Sequence, residues 1–185
     1  REINMSEMRE ILKNLVSVDD LPSMSPQEII NEIASNQYNG NNRHLKDPAV
    51  FAKLPQVIRD ILLLADLDTE LAINGILGFL ENSTGLYLTE TIAVLQRIGA
   101  EEDMKILSNI SGILSKYGVD TQTLRDNVNK GNLYDITSFI ETHGNTYDDM
   151  ADEIDEAAKG LYIKCPDRNI FDNLEGYIEN NKGEL

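Results

Sequence analysis

The sequence predicts an all-α fold of eight to ten helices, and three observations support that prediction. Apolar residues recur at the three- and four-residue spacing of an amphipathic helix along nearly the whole chain. No segment alternates apolar and polar residues with the period of two that a half-buried strand requires. Glycines and helix-capping residues stand where one apolar stripe ends and the next begins.

Two helices and an asparagine-rich loop are expected at the beginning of the chain. The first apolar stripe runs from Met5 to Val16. The second follows Ser25 and Pro26, which suit an N-cap and a first helical turn. The asparagine-rich segment 36–47 reads as a loop. We therefore expect an N-terminal appendage over residues 1–46 and a main domain over residues 47–185.

The segment Leu71–Leu80 leaves almost no polar side, which predicts a buried helix at the centre of the fold. Asp68 is expected to cap it, after a separate helix that contains Val57–Ala65. Further limits are expected at Gly99, Gly118, Asp120 and Thr146, with a short helix through Leu133, Ile136, Phe139 and Ile140.

The charge balance excludes some functions and favours others. The 185 residues include 32 acidic and 16 basic ones, for a net charge of −16. Such a chain repels phosphate backbones, so direct binding to nucleic acid is not expected. The same field attracts basic proteins. No apolar run is long enough to span a membrane and no signal-peptide core is visible, so a cytoplasmic location is expected.

Acidic residues concentrate in the last 41 positions, which hold 11 acidic and 4 basic residues. On a helix, the densest group falls within an arc of roughly 160°, opposite Met150 and Ile154. We call this group the acidic face: Asp148, Asp149, Asp152, Glu153, Asp155 and Glu156. A weaker group follows at i, i+3 and i+7, formed by Asp172, Glu175 and Glu179. All nine are candidate partner-binding residues, although a face that is only solvated would show the same pattern.

Residues that would indicate catalysis or metal binding are scarce. His44 and His143 lie far apart and are expected to be solvent-exposed or capping. Cys165 is the single cysteine, which excludes an internal disulfide and suits a reducing compartment. No phosphate-binding glycine motif is present. We therefore predict no catalytic residue, cofactor or metal.

One segment carries a family resemblance. Residues 68–85 read DTELAINGILGFLENSTG, and Ile98-Gly99-Ala100 ends the following helix. This resembles the bacterial DNA-mimic protein family, whose pattern runs roughly E-V-x-N-G-G-F-x-Q-F-F-x-N-S-x-G. The resemblance extends over about residues 45–180. Asn74 stands at the first glycine of the family pattern, and Gly78 stands at its glutamine.

The resemblance implies an all-helical fold and, in studied members, an acidic surface that imitates DNA and occupies a transcription factor. We therefore expect a non-enzymatic protein that binds a basic partner, such as a DNA-binding transcription factor or a nuclease. An immunity-type inhibitor of a basic toxin is a close alternative, and a homodimer stays open. The rival from another class is a small-ligand-binding or catalytic helical domain with its site near Glu70, Asn74 and Asn82.

Overall fold

A computed structural model describes residues 4–131 and 137–185, and within them it confirms the all-α prediction. No strand occurs in these residues. Eight of the eleven described α-helices have eight residues or more. In chain order the helices are α1 (Met5–Leu12), α2 (Pro26–Asn36), α3 (Pro48–Phe51), α4 (Gln56–Ile73), α5 (Gly75–Glu81), α6 (Leu88–Arg97), α7 (Glu101–Lys116), α8 (Thr121–Lys130), α9 (Phe139–His143), α10 (Asp148–Ala158) and α11 (Ile170–Asn181).

The chain packs as two structural units. The first combines the chain up to Ala65 with Phe171–Leu185, and the second comprises Asp66–Ile170. Helix α4 is continuous across this division. The division expected from the sequence, at residues 46 and 47, stays a prediction, because packing alone does not show which segment folds independently.

In the first unit, a predicted cap and an unpredicted turn organise the N-terminal segment. Ser25 caps α2, since its side chain accepts from Glu28 N while the Glu28 carboxylate accepts from Ser25 N. The asparagine-rich segment is not an open loop, because Gly40–Lys46 forms a 3₁₀ turn. Buried Asn42 fixes it by donating to the carbonyl oxygens of Asn14 and Asn36, each at 2.9 Å.

Helix α4, not the segment Leu71–Leu80, is the helix buried on all sides. From Val57 to Leu67 every residue except Arg59 is buried. The expected separate helix capped by Asp68 is wrong, because α4 continues through that position to Ile73. The chain breaks at Gly75, whose φ of +68° suits glycine, and Ile73 is left 73% exposed. Helical periodicity alone gave no sign of this break.

In the second unit, helix ends follow local signals. Gly99 ends α6 with φ of +79°, and Asp120 caps α8 by accepting from Thr123 N at 2.7 Å, as predicted. Thr146 does not cap α10; the chain enters that helix through a 3₁₀ turn, Asn145–Tyr147, without a side-chain cap. Phe139 and Ile140 lie in α9 as expected, whereas Leu133 and Ile136 lie outside the described residues.

A buried carboxylate ties the start of α7 to the segment that follows α10. The Asp103 side chain is 1% exposed and accepts from Arg168 Nε at 2.9 Å and from Tyr162 N at 2.7 Å. Arg168 also donates to the carbonyl oxygen of Gly160. Because a buried charge is costly unless it is paired and hydrogen-bonded, these contacts hold the segment after α10 in place.

Replacing Arg168 should therefore destabilise the protein strongly. Arg168→Gln leaves Asp103 buried without its cation, and we expect a loss of about 3 kcal/mol in the free energy of unfolding. Urea denaturation measures it. Lys105→Gln is the control, because Lys105 forms only an exposed 3.8 Å pair with Glu101 and its loss should cost almost nothing. Equal effects of the two substitutions would contradict this role for Asp103.

Candidate acidic interaction surface

Helix α10 presents the acidic face because its opposite side is buried. Met150 and Ile154 are fully buried and Ala151 is 7% exposed, and the helix packs against α7 and α5. The remaining arc is left for the six carboxylates. Asp148 and Asp149 begin the helix, where negative charge suits the positive end of the helix dipole.

The middle of the acidic face is solvent-exposed. Asp149, Asp152 and Glu156 follow each other at i+3 and i+4, and all three are exposed. Glu156 pairs with Lys159 on the same helix, where both side chains are at least 70% exposed. Asp149 and Asp152 form no ion pair with the described residues. A partner can therefore reach this part of the helix directly.

Glu153, at one edge of the acidic face, is an internal contact. Its carboxylate accepts from Lys116 Nζ at 2.7 Å and from Tyr117 Oη at 2.6 Å, both at the end of α7. The Lys116 ammonium also lies 5.0 Å from the centre of the Tyr117 ring. The bonds from Lys116 and Tyr117 lower the pKa of Glu153. Glu153 therefore fastens α10 to α7.

Asp148 and Asp155 form the other edge. Asp148 is partly buried, and its Oδ1 has no hydrogen-bond partner among the described residues. Asp155 is exposed as a residue, but partial desolvation of its carboxyl group and repulsion from Asp152 raise its pKa, against the opposing effect of Lys159. Four of the six carboxylates thus form no salt bridge within the described part of the chain, although the Lys159 ammonium also acts on Asp155.

The three candidates on α11 belong to the other structural unit. Asp172 is exposed and Glu175 is partly buried, whereas Glu179 pairs with Lys182 at 3.2 Å. The sequence contains 19 acidic and 8 basic residues in the second unit, against 13 and 8 in the first, so the net charges are −11 and −5. The acidic face lies on α10 alone, and Asp172, Glu175 and Glu179 stay candidate partner-binding residues outside it.

The three residues of the rival site do come together. Glu70 Oε2, on α4, accepts from Asn74 Nδ2 at 2.9 Å and from Asn82 Nδ2 at 3.0 Å. Asn74 lies between α4 and α5, and Asn82 follows α5. One carboxylate thus joins the two ends of α5 to the last turns of α4. Because two side-chain amides of the same chain donate to this oxygen, we interpret the cluster as a structural contact that holds α5 against α4.

Gly78 and Gly85 make close approaches possible beside this cluster. A Cβ at position 78 would lie 2.2 Å from the Asn74 Cβ, and one at position 85 would lie 2.1 Å from the Leu80 carbonyl oxygen. The glycine at each position is therefore required by packing.

A family model described as DMP19-like protein matches residues 52–181. The chain belongs to the DMP19-like family. This confirms the resemblance to DNA-mimic proteins. A search of curated proteins and a search of solved structures each found no match.

Asn74 and Gly78 compete for the same space. The Asn74 side chain occupies the space that a side chain at position 78 would need, since a Cβ there would lie 2.2 Å from the Asn74 Cβ. Asn74 in turn supplies a donor to Glu70.

The expectation that His143 is exposed or capping is wrong. Its side chain is fully buried, with Nε2 2.7 Å from Glu81 Oε2 and Nδ1 3.3 Å from Asn127 Nδ2. The Phe139 ring lies 4.4 Å from its imidazole, centre to centre. His143 therefore connects α9 to α5 and α8. A separation of 62 residues from Glu81 left no local signal of this pairing.

Two negative findings apply to the described residues alone. Within residues 4–131 and 137–185, no group of three His, Cys, Asp or Glu side chains is arranged to hold a metal ion. In the same residues, no helix has the length and apolarity needed to cross a bilayer.

Gly78→Ala should destabilise the protein through its clash with Asn74. We expect a loss of about 2 kcal/mol, typical of overpacking, and a smaller loss in Asn74→Gly/Gly78→Ala than the sum of the single changes. Chemical denaturation of the four proteins gives the coupling. Gly112→Ala is the control, because a Cβ there meets open space within α7 and should stabilise by roughly 1 kcal/mol. Additive effects of the two substitutions would show that side chains at positions 74 and 78 do not compete for the same space.

The contact between Tyr117 and Glu153 should stabilise the fold only where Glu153 is ionised. Since the folded-state pKa of Glu153 is lowered, this contribution is present above the ordinary value of about 4.3 and is lost as pH falls through the lowered pKa. Tyr117→Phe should therefore be less stable than the unaltered protein at pH 7, and this deficit should shrink as pH falls below about 4.3. Urea denaturation at pH 7 and at a series of lower pH values measures the difference.

Tyr147→Phe is the matched control for this pH dependence, because Tyr147 precedes α10 and its hydroxyl forms no hydrogen bond with the described residues. It should show no difference from the unaltered protein that depends on pH. A Tyr117→Phe deficit that persists unchanged at low pH would show that the hydroxyl does not act through the Glu153 carboxylate.

Proposed function

We propose that this DMP19-like protein is a non-enzymatic interaction protein whose acidic face docks on a basic, nucleic-acid-binding surface of another protein. The observation that carries the proposal is the arrangement on α10, where six carboxylates share one arc and four form no salt bridge within the described residues. Family membership supports the same reading.

The spacing of charge along α10 resembles that of DNA. Six carboxylates over nine residues cover about 12 Å of helix axis, or about one charge per 2 Å. Subtracting the charges of Lys116 and Lys159 leaves four, or about one per 3 Å. Duplex DNA carries one charge per about 1.7 Å, and a single strand one per about 3.4 Å. A surface that binds a phosphate strand would therefore meet a comparable row of negative charge.

The expected mechanism is occupation of the partner's basic surface through charge complementarity. A net charge of −11 on the unit that contains α10 attracts basic partners over a distance of about a Debye length. Association should be fast and should weaken as salt rises. A DNA-binding transcription factor and a nuclease both present such a surface, and so does a basic toxin.

The second candidate function, a ligand or catalytic site at Glu70, Asn74 and Asn82, is favoured only by the convergence of those residues. Their mutual hydrogen bonds use Glu70 Oε2 and one N–H of each asparagine amide. A structural role, in which Glu70 holds both ends of α5, explains the same contacts without a ligand.

A pull-down from a native lysate, at low and at high salt, tests the proposal. We expect a basic nucleic-acid-binding protein at low salt, released both by high salt and by added duplex DNA. A partner that is retained at high salt and is not displaced by DNA would contradict DNA mimicry.

Once the partner is identified, neutralising the middle of the acidic face should weaken its binding about tenfold at low salt, because three exposed ion pairs together contribute about that much. The affinity should also depend less on salt concentration. The variant is Asp149→Asn/Asp152→Asn/Glu156→Gln, measured by calorimetry at several salt concentrations. Glu153 stays intact because it fastens α10 to α7.

The matched control is Glu90→Gln/Glu101→Gln/Asp167→Asn, which removes three exposed charges from the same unit but not from α10. It should bind nearly as well as the unaltered protein. Equal weakening by both variants would mean that net charge, and not the acidic face, drives association.

A further inference from the structure

A small cleft opens in the second unit between the turn Ser83–Tyr87, the end of α7 and the start of α8. Its volume is about 150 Å³. Leu86, Leu114 and Val119 supply apolar lining, and Leu86 is 42% exposed, so the cleft is open to solvent. Hydroxyl groups line it as well, from Thr89, Ser115 and Thr121 among others. The cleft therefore offers both apolar walls and hydrogen-bond acceptors.

Asp120 contributes a carboxylate to the lining of the cleft, and only one of its two oxygens accepts hydrogen bonds from the described residues. Asp120 Oδ1 accepts from Thr123 N at 2.7 Å and from Thr123 Oγ1 at 2.8 Å, whereas Oδ2 forms no hydrogen bond with the described residues. The two bonds from Thr123 lower the pKa of Asp120, so the group is ionised at neutral pH. Within residues 4–131 and 137–185, no Lys, Arg or His lines the cleft.

The size of the cleft and the mixture of its walls limit what it accepts. A cavity of roughly 150 Å³ takes a benzene-sized group. An arginine side chain beyond its β-carbon has as many heavy atoms as benzene. It also combines an apolar stem with a flat, multiply donating cation, which matches apolar walls beside hydroxyl oxygens and a carboxylate.

We propose that this cleft binds an arginine side chain of the basic partner, with the stem against Leu86 and Leu114 and the guanidinium at Asp120 Oδ2. This rests on the proposed function, since it adds an anchor to the same docking event. Charge complementarity selects a cation, because the cleft has a carboxylate and no basic lining residue in a unit of net charge −11.

The cleft and the acidic face are joined by α7. Ser115 lines the cleft, and its neighbour Lys116 contacts Glu153 on α10. The end of α7 thus carries one residue of the cleft and, at the next position, one contact of the acidic face, in the same structural unit. Arginine is common among the few interface residues that dominate binding energy, which suits an anchor of this kind.

The test uses a short peptide, so that it does not depend on identifying the partner. ¹⁵N-labelled full-length protein is titrated with acetyl-Ala-Arg-Ala-amide and, separately, with the same peptide containing citrulline, which keeps the shape and removes the charge. We expect saturable amide shifts at Leu86, Thr89, Ser115 and Thr121 with the arginine peptide and much smaller ones with citrulline.

Asp120→Asn isolates the carboxylate, because asparagine caps a helix as well as aspartate does and α8 should be retained. We expect it to weaken arginine-peptide binding about threefold, the size of an exposed ion pair. Asp149→Asn/Asp152→Asn/Glu156→Gln should leave the shifts at the cleft unchanged.

Shifts confined to α10, with none at the cleft, would overturn the arginine site while leaving the proposed function standing. Equal shifts from both peptides, or an unchanged affinity in Asp120→Asn, would also overturn it. The opposite result is also informative. If the arginine peptide binds at the cleft but the triple variant does not weaken partner binding, the proposed function of the acidic face is contradicted and the arginine site stands. Inorganic phosphate, titrated in parallel, should cause no shift at these four amides, and saturable shifts there would contradict a cation site.

Discussion

Burial of Met150 and Ile154 is the constraint on which the acidic surface depends. Six carboxylates in nine residues place like charges at i+4 three times and at i+3 three times, which costs about 2 kcal/mol in total. Fully burying Met150 and Ile154 contributes about 1.5–3 kcal/mol for each side chain. The apolar contact therefore outweighs the repulsion, and the helix forms with its charges directed into solvent. Without that buried side, the same residues would repel each other into an extended chain.

The acidic face has two kinds of carboxylate, and the difference follows from position on the arc. Glu153, at the edge nearest α7, is held by a lysine and a tyrosine and contributes to the fold. Asp149 and Asp152, in the middle, contact no cation among the described residues and are available to a partner. Counting acidic residues alone would not separate the carboxylate that stabilises the fold from those that are available to a partner. Removing Glu153 would disturb the position of the helix, whereas removing Asp149 would change its charge and cost only the small stabilisation of the helix dipole.

The features that could be predicted from the sequence depend on residues close together in the chain. Contacts between residues far apart in the chain could not be predicted. The cap at Ser25, the cap at Asp120 and the stop at Gly99 each need only a few adjacent residues, and all three were predicted. The apolar and charged sides of α10 likewise follow from periodicity. The burial of His143 against Glu81 and the contact of Lys116 with Glu153 join residues 62 and 37 positions apart, so no local pattern indicates them. The break at Asn74 and Gly75 was missed because apolar residues continue on both sides of it.

If the acidic face binds a partner, α10 must be the centre of a negative field that reaches solvent, and that field can be measured without any partner. Paramagnetic relaxation of amide protons is recorded with a positively charged and a negatively charged nitroxide of the same shape. The ratio of the two effects reports the local electrostatic potential at each amide. We expect the largest excess for the cationic nitroxide at residues 149–156, above that at the other exposed helices of the second unit. An excess spread evenly over that unit, or centred away from α10, would contradict the central claim.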